Sequence, residues 1–202
     1  MIKNSPVTGI ILAGGRNKRM GSNKALTLLN GKPLIEWVLN AMREVTDNVI
    51  ISVGTEDFQY ENLAKVQDEY PDKGPAGGIY SALKVSETDL NLVISCDMPF
   101  ISVPVLELLI REARLNPSCV TFPVDENGYP QPLCAVYNKC ILPVLHEAIL
   151  QDRLMLRKII LECSSRQMKI GRDHTLYRTG IFMNINTKET LKRARNSTKN
   201  FN

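Results

Sequence analysis

Val7-Thr8-Gly9-Ile10-Ile11-Leu12-Ala13-Gly14-Gly15-Arg16-Asn17-Lys18-Arg19-Met20-Gly21-Ser22-Asn23-Lys24 carries the pattern that decides the fold. Val7 to Leu12 is a short run of apolar and β-branched residues, the composition of a buried parallel strand. Gly14 and Gly15 fall where that strand ends and the chain must turn. Glycines there let the backbone approach an anion with no Cβ in the way, and successive N–H groups form a concave anion site. Arg16, Lys18, Arg19 and Lys24 crowd the same loop, a charge density suited to a polyanion such as a nucleoside triphosphate. The spacing matches neither GxxxxGK[ST] nor GxGxxG, so neither a phosphate-loop NTPase nor a dinucleotide oxidoreductase is indicated.

Working outward, Leu34, Ile35, Val38, Leu39 and Met42 recur at the spacing of one helix face, with Trp37 at its edge. Asn48 to Val53 is a second β-branched strand, followed by a loop from Gly54. Strand, helix, strand in that order predicts a right-handed parallel crossover and an α/β sheet, whose ligands gather at the carboxyl ends of the strands. Residues 66–78, VQDEYPDKGPAGG, read as a turn-rich loop running into a helix over Ile79 to Val85. A strand over Leu92 to Ser95 then delivers one carboxylate, Asp97, at its exit, because Pro99 cannot continue a central strand. A single hard carboxylate beside a triphosphate suits Mg²⁺, which takes one or two protein carboxylates and completes its shell with water and phosphate.

Further on, Val103 to Leu115 is an amphipathic helix. Cys119 to Pro123 is a strand that the turn Asp125-Glu126-Asn127-Gly128 joins to an antiparallel partner within Gln131 to Tyr137. Ile141 to Leu150 and Leu154 to Glu162 suggest helices. Gly180 to Thr187, GIFMNINT, alternates apolar and polar residues and so points Asn184 and Asn186 to one side, before a helix that Thr187 could cap. The third residue after that cap is Thr190, so the glutamate of a full capping box is absent.

At 202 residues the chain fits one domain, and 44% apolar with 23% charged residues is ordinary for a soluble globular protein. No apolar run approaches a bilayer span and no secretory signal begins the chain, which makes the cytoplasm the expected compartment and gives no membrane partner. The net charge of +4 comes from Lys192, Arg193, Arg195 and Lys199, beyond the last acid. The remainder balances at 21 against 21, which argues against a nucleic-acid face. Five cysteines, an odd number without CxxC spacing, predict neither a disulfide framework nor a zinc site, and Cys96, Cys119 and Cys134 read as small core residues. His146 and His174 have no partner at metal-ligand spacing and read as surface or helix residues.

Taken whole, LAGGRNKRMGSNK resembles the signature loop of nucleotidyltransferases with the glycosyltransferase-A-like fold, and most closely that of the molybdenum cofactor guanylyltransferases. DEYPDKGPAGGI resembles the family's second nucleotide-binding segment, SCDMPF its metal-binding segment, and FMNINT its FxNxNT segment. The resemblance implies a three-layer α/β/α fold whose central sheet is mostly parallel, Rossmann-like in its N-terminal half. It implies one nucleotidyltransferase domain over 1–202, with a nucleotide-binding half at 1–100, an acceptor-binding half at 101–196 and a flexible tail at 197–202.

By the same resemblance, Leu12, Ala13, Gly14, Gly15, Lys24, Asp68, Gly77 and Asp97 bind nucleotide, Arg19, Lys24 and Asp97 are catalytic, and Asp97 holds Mg²⁺. Gln131, Asn184 and Asn186 would face the acceptor. The implied reaction moves GMP from GTP to molybdopterin, with a transient handover to a molybdenum insertion enzyme. Three departures stand out: Ala76 and Gly77 replace the leucine and alanine of GPLAGI, Gln131 stands where histidine is common, and Gly54 stands where Asn is frequent. Two alternatives stay open, a cytidylyltransferase or other transferase of this fold and a non-catalytic nucleotide-binding module.

Overall fold

The computed structural model describes residues 5–14, 24–55 and 60–197. Gly15, Arg19 and the tail from residue 198 lie outside the described residues.

β1 (Val7–Leu12) is buried at every position and lies between β4 (Asn48–Gly54) and β6 (Leu90–Ser95), both parallel to it. A strand covered on both faces has no solvent side to alternate with, which is why VTGIIL and LNLVIS are almost uniformly apolar. β5 (Ala64–Gln67) extends the parallel set beyond β4. On the other side the direction reverses. β8 (Cys134–Asn138) is antiparallel to both β6 and β7 (Val120–Val124), and β9 (Ser165–Lys169) is parallel to β7. The sheet order is β5-β4-β1-β6-β8-β7-β9, with a separate two-stranded ribbon of β2 (Leu28–Leu29) and β3 (Lys32–Pro33).

Helices cover both faces. α1 (Leu34–Arg43) and α3 (Val103–Leu115) lie on one, burying the Ile35, Val38, Leu39 and Met42 stripe against Ile11, Ile51 and Ile94. Each of those side chains contributes about 1.5–3 kcal/mol by leaving water. α2 (Gly74–Val85), α4 (Leu142–Leu150) and the single turn α5 (Leu156–Ile159) cover the other face over Ile10, Ile50, Val93 and Tyr137. α6 (Lys188–Ser197) closes a third cluster in which Leu29, Leu34, Phe100 and Ile185 are buried and Trp37 is half-buried. The three-layer α/β arrangement and the mostly parallel sheet are as expected.

Several local expectations are corrected. The glycine-rich segment is helical: α2 starts at Gly74, with Pro75 in its first turn where a missing N–H costs nothing. Gly77 and Gly78 are kept from being a helix liability by packing, since a Cβ on them would come within 2.9 Å of the Tyr70 carbonyl and 2.8 Å of the Ser52 hydroxyl. The expected helix over Leu154 to Glu162 shrinks to one turn, and GIFMNINT is irregular chain instead of a strand.

Thr187 does accept the N–H of Thr190, while the Thr190 hydroxyl accepts the N–H of Thr187, at 3.1 and 3.0 Å. Threonine thus closes the reciprocal cap usually completed by glutamate. The cysteine reading is corrected at one pair. Cys96 and Cys134 are buried thiols, but Cys119 and Cys140 are joined as a disulfide across 21 residues, tying the approach to β7 to the turn that follows β8.

Candidate active site

β1, β4 and β6 end in register, with Leu12 opposite both Ser52 and Ser95. Their exits form one side of a cavity of about 520 Å³, within the range of nucleotide and cofactor pockets. Leu12, Ala13 and Gly14 line it from β1, Ser52 and Gly54 from β4, and Asp97 from the exit of β6. Asp68, Pro75 and Gly78 supply the wall toward α2, and Asn184 and Asn186 close it from the C-terminal segment.

Ala13 and Gly14, at the start of the first loop, are held by backbone hydrogen bonds. The N–H groups of Ala13 and Gly14 both donate to the Ser52 carbonyl, at 2.8 and 3.0 Å. A Cβ on Gly14 would lie 2.4 Å from the backbone N of Gly54, so only glycine lets the ends of β1 and β4 meet. Gly54 itself has φ of +65°. Asparagine is the other residue that visits that region readily, which gives a physical reason for the exchange of Gly for Asn noted above.

Asp97 is buried and its backbone carbonyl accepts the N–H of Ile185 at 2.9 Å, which ties the end of β6 to residues 183–186. The Lys24 ammonium donates both to Asp97 Oδ2 and to Asn186 Oδ1. Asp97 Oδ1 is buried without a hydrogen-bond partner, and so is Asn184 Oδ1. An unpartnered carboxylate oxygen in a dry wall is an acceptor set for a cation, and one carboxylate fits a Mg²⁺ that draws its other ligands from phosphate and water. Among the described residues no group of three or more His, Cys, Asp and Glu could hold a metal by itself.

At the opposite wall, burial pushes the Asp68 carboxyl up to about 6, opposed by a hydrogen bond from Ser52. Asp68 Oδ1 has no partner, and the Asp68 N–H is held by the Gly54 carbonyl at 2.9 Å. Gly77 faces the loop carrying Asp68 without lining the cavity. Gln131 lies off the cavity wall: its amide donates to Asp125 Oδ2 and the Tyr129 carbonyl, at 2.8 and 3.3 Å, inside the β7–β8 hairpin. Leu133 lines the cavity instead, its carbonyl accepting from the Ser95 N–H. Sequence reasoning passed over Ser52, a lone serine in an apolar strand whose signal lies only in its register with Leu12.

The model of the MobA-like NTP transferase domain matches residues 9–167. The chain belongs to that family. Among its MobA-like relatives, a probable molybdenum cofactor guanylyltransferase of Flavobacterium johnsoniae is 34% identical over 92% of this chain and 94% of its own. A molybdenum cofactor guanylyltransferase of Desulfosudis oleivorans is 31% identical over 93% and 94%. The crystal structure of molybdopterin-guanine dinucleotide biosynthesis protein A from Archaeoglobus fulgidus superimposes with a TM-score of 0.81, at 27% identity over 96% of this chain and 99% of that one. Among the described residues, no helix is long and apolar enough to cross a membrane.

Proposed function

We propose that this MobA-like protein transfers GMP from GTP to the phosphate of molybdopterin, releasing pyrophosphate and forming the molybdopterin guanine dinucleotide. The observation that carries the reading is the meeting of Lys24, Asp97 and Asn186 on one wall of a cavity whose opposite wall carries Asp68, with its Oδ1 unpartnered. A nucleoside triphosphate fits that polarity, with its phosphates at the cationic wall and its sugar or base at Asp68.

An oxygen of the acceptor phosphate attacks the α-phosphorus in line. One P–O bond forms, the bond to the bridging oxygen of the β-phosphate breaks, and that oxygen leaves with pyrophosphate. No protein nucleophile is needed, so the chain's contribution is position and charge. The N–H groups of Ala13 and Gly14 are taken by the Ser52 carbonyl, so backbone donors to the phosphates are assigned to the loop from Gly15 onward; Lys24 counters charge gathering on the phosphates, and Arg19 is assigned the same task. Asp97 would hold Mg²⁺, which supplies Lewis acidity and a template for the phosphate oxygens when bound. Asp68 accepts hydrogen bonds from guanine or ribose, Asn184 and Asn186 face the incoming acceptor, and Gln131 acts through the hairpin at most. The domain works as one unit across 1–202, in the cytoplasm, and passes its product to a molybdenum insertion enzyme in a transient contact.

The test is pyrophosphate release from purified protein with Mg²⁺ and each of GTP, CTP, ATP and UTP, with and without molybdopterin, beside Asp97→Ala. Release with GTP alone, dependent on acceptor and lost in the variant, is expected. Preference for CTP would keep the chemistry and change the donor. Tight GTP binding with no turnover on intact acceptor would overturn the transferase reading.

A further inference from the structure

Ser52 stands between the start of the first loop and Asp68. It sits 2% exposed near the end of β4, where the pairing with β5 shifts register between Ser52 and Gly54. Its carbonyl accepts the N–H groups of Ala13 and Gly14, while its hydroxyl and Asp68 Oδ1 border the same Cβ position on Gly78, where the hydroxyl favours the charged form of the carboxyl. The neighbouring helix makes room for that hydroxyl. A Cβ on Gly78 would lie 2.8 Å from Ser52 Oγ and 3.5 Å from Asp68 Oδ1, so any side chain there would force the pair apart. Of the charged side chains near Asp68, Glu69 pairs with Lys84 and Lys73 with Asp152, while Asp72 lines the same cavity.

We propose that Ser52 is a positioning residue for nucleotide recognition: its carbonyl seats the glycine loop while its hydroxyl, in space kept open by Gly78, aims Asp68 into the cavity. The inference rests on the reading that Asp68 contacts the nucleoside. A carboxylate kept beside the Ser52 hydroxyl has its orientation restricted, so its acceptor is organised before the ligand arrives. The two functions of Ser52 are separable, because the carbonyl survives any side-chain substitution.

The separation defines the experiment. GTP and inorganic tripolyphosphate are titrated into wild type, Asp68→Asn, Ser52→Ala, Gly78→Ala and the Ser52→Ala/Gly78→Ala double variant, with GTP affinity followed from pH 5 to 8. Ser52→Ala is expected to weaken GTP about tenfold, the size of a lost hydrogen bond to a charged group. It should leave tripolyphosphate affinity near wild type. The acid limb of its GTP affinity moves to higher pH, because the hydroxyl no longer favours the charged form of Asp68. Gly78→Ala should behave like Ser52→Ala, and the double variant should be no worse than either alone. Equal loss of GTP and tripolyphosphate in Ser52→Ala would overturn the proposal, since general distortion does that. GTP affinity retained in Ser52→Ala but lost in Asp68→Asn would overturn the proposal and leave the role of Asp68 standing. Unchanged GTP affinity in Asp68→Asn would remove both.

Discussion

Lys24 and Asp97, 73 residues apart in the chain, form a buried ion pair with side chains only 11% and 7% exposed. Removing one partner of such a pair strands a charge in a dry wall, which typically costs about 3–5 kcal/mol. Lys24→Met is expected to destabilise the nucleotide-free protein by about 3 kcal/mol on that basis. Lys24→Met/Asp97→Leu should recover most of the loss, and urea denaturation of the three proteins checks this. Mn²⁺ added to Lys24→Met should restore part of its stability by replacing the missing cation.

Asp68 makes stability depend on pH. Burial raises its folded-state value to about 6 from 3.8, so between those limits the folded protein binds more protons than the unfolded chain. Stability from this group is full below 3.8 and declines as pH rises toward about 6. Thermal melts from pH 4 to 7 should show Asp68→Asn gaining on wild type as pH rises. An unchanged difference across that range would refute the assignment.

Gly14→Ala places a methyl group 2.4 Å from the backbone N of Gly54, where no side chain can yield. Overpacking of this kind typically costs about 1–3 kcal/mol, and the first loop must move away from β4. Chemical denaturation should register the cost, and GTP titration should register a loss of affinity larger than that of Gly171→Ala, whose Cβ would approach nothing closer than 3.5 Å.

Thr190→Ala removes the acceptor for the N–H groups of both Asn186 and Thr187. A lost cap costs about 1 kcal/mol, and here hydrogen exchange should speed up in the first turn of α6 and at Asn186. Thr190→Glu restores the usual capping box and should exchange as slowly as wild type.

Thiol labelling should follow burial. Burial raises the thiols of Cys96 and Cys134 to about 12, whereas Cys163 is only half-buried. Native protein without reductant is expected to label first at Cys163. Reduction should expose Cys140 as a second fast site, read by mass spectrometry of the labelled peptides.

What could be read in the sequence divides along physical lines. β1, β6, α1 and α3 bury whole strands or a clean helical stripe, and their apolar residues announce it. β5 and β9 are AKVQ and SRQMK, mostly exposed strands whose only cue is the backbone of a neighbour. The helix expected from Ile79 is there, but the start of α2 at Gly74 is hidden, because Gly77 and Gly78 answer to Tyr70 and Ser52 across space while their local meaning is a loop. At the site, Lys24, Asp97 and the paired asparagines stand out by chemistry at a strand end or in a motif. Ser52 does not, since its carbonyl and hydroxyl contacts exist only after β1 and β4 pair. The engagement of Gln131 within its own hairpin, off the cavity wall, is likewise a contact that local sequence does not announce.

Asp97 is tied through Ile185, and Lys24 through Asn186, to a segment beyond residue 167, where the match to the family domain stops. During synthesis the chain emerges N-terminus first, and β1, β4 and β6 have left the ribosome well before that segment. A nascent chain can therefore form the parallel half of the sheet while its metal-side wall is still missing two contacts. Ribosome-bound intermediates would carry the glycine loop yet lack the completed site, so competence arrives only once Ile185 and Asn186 have emerged.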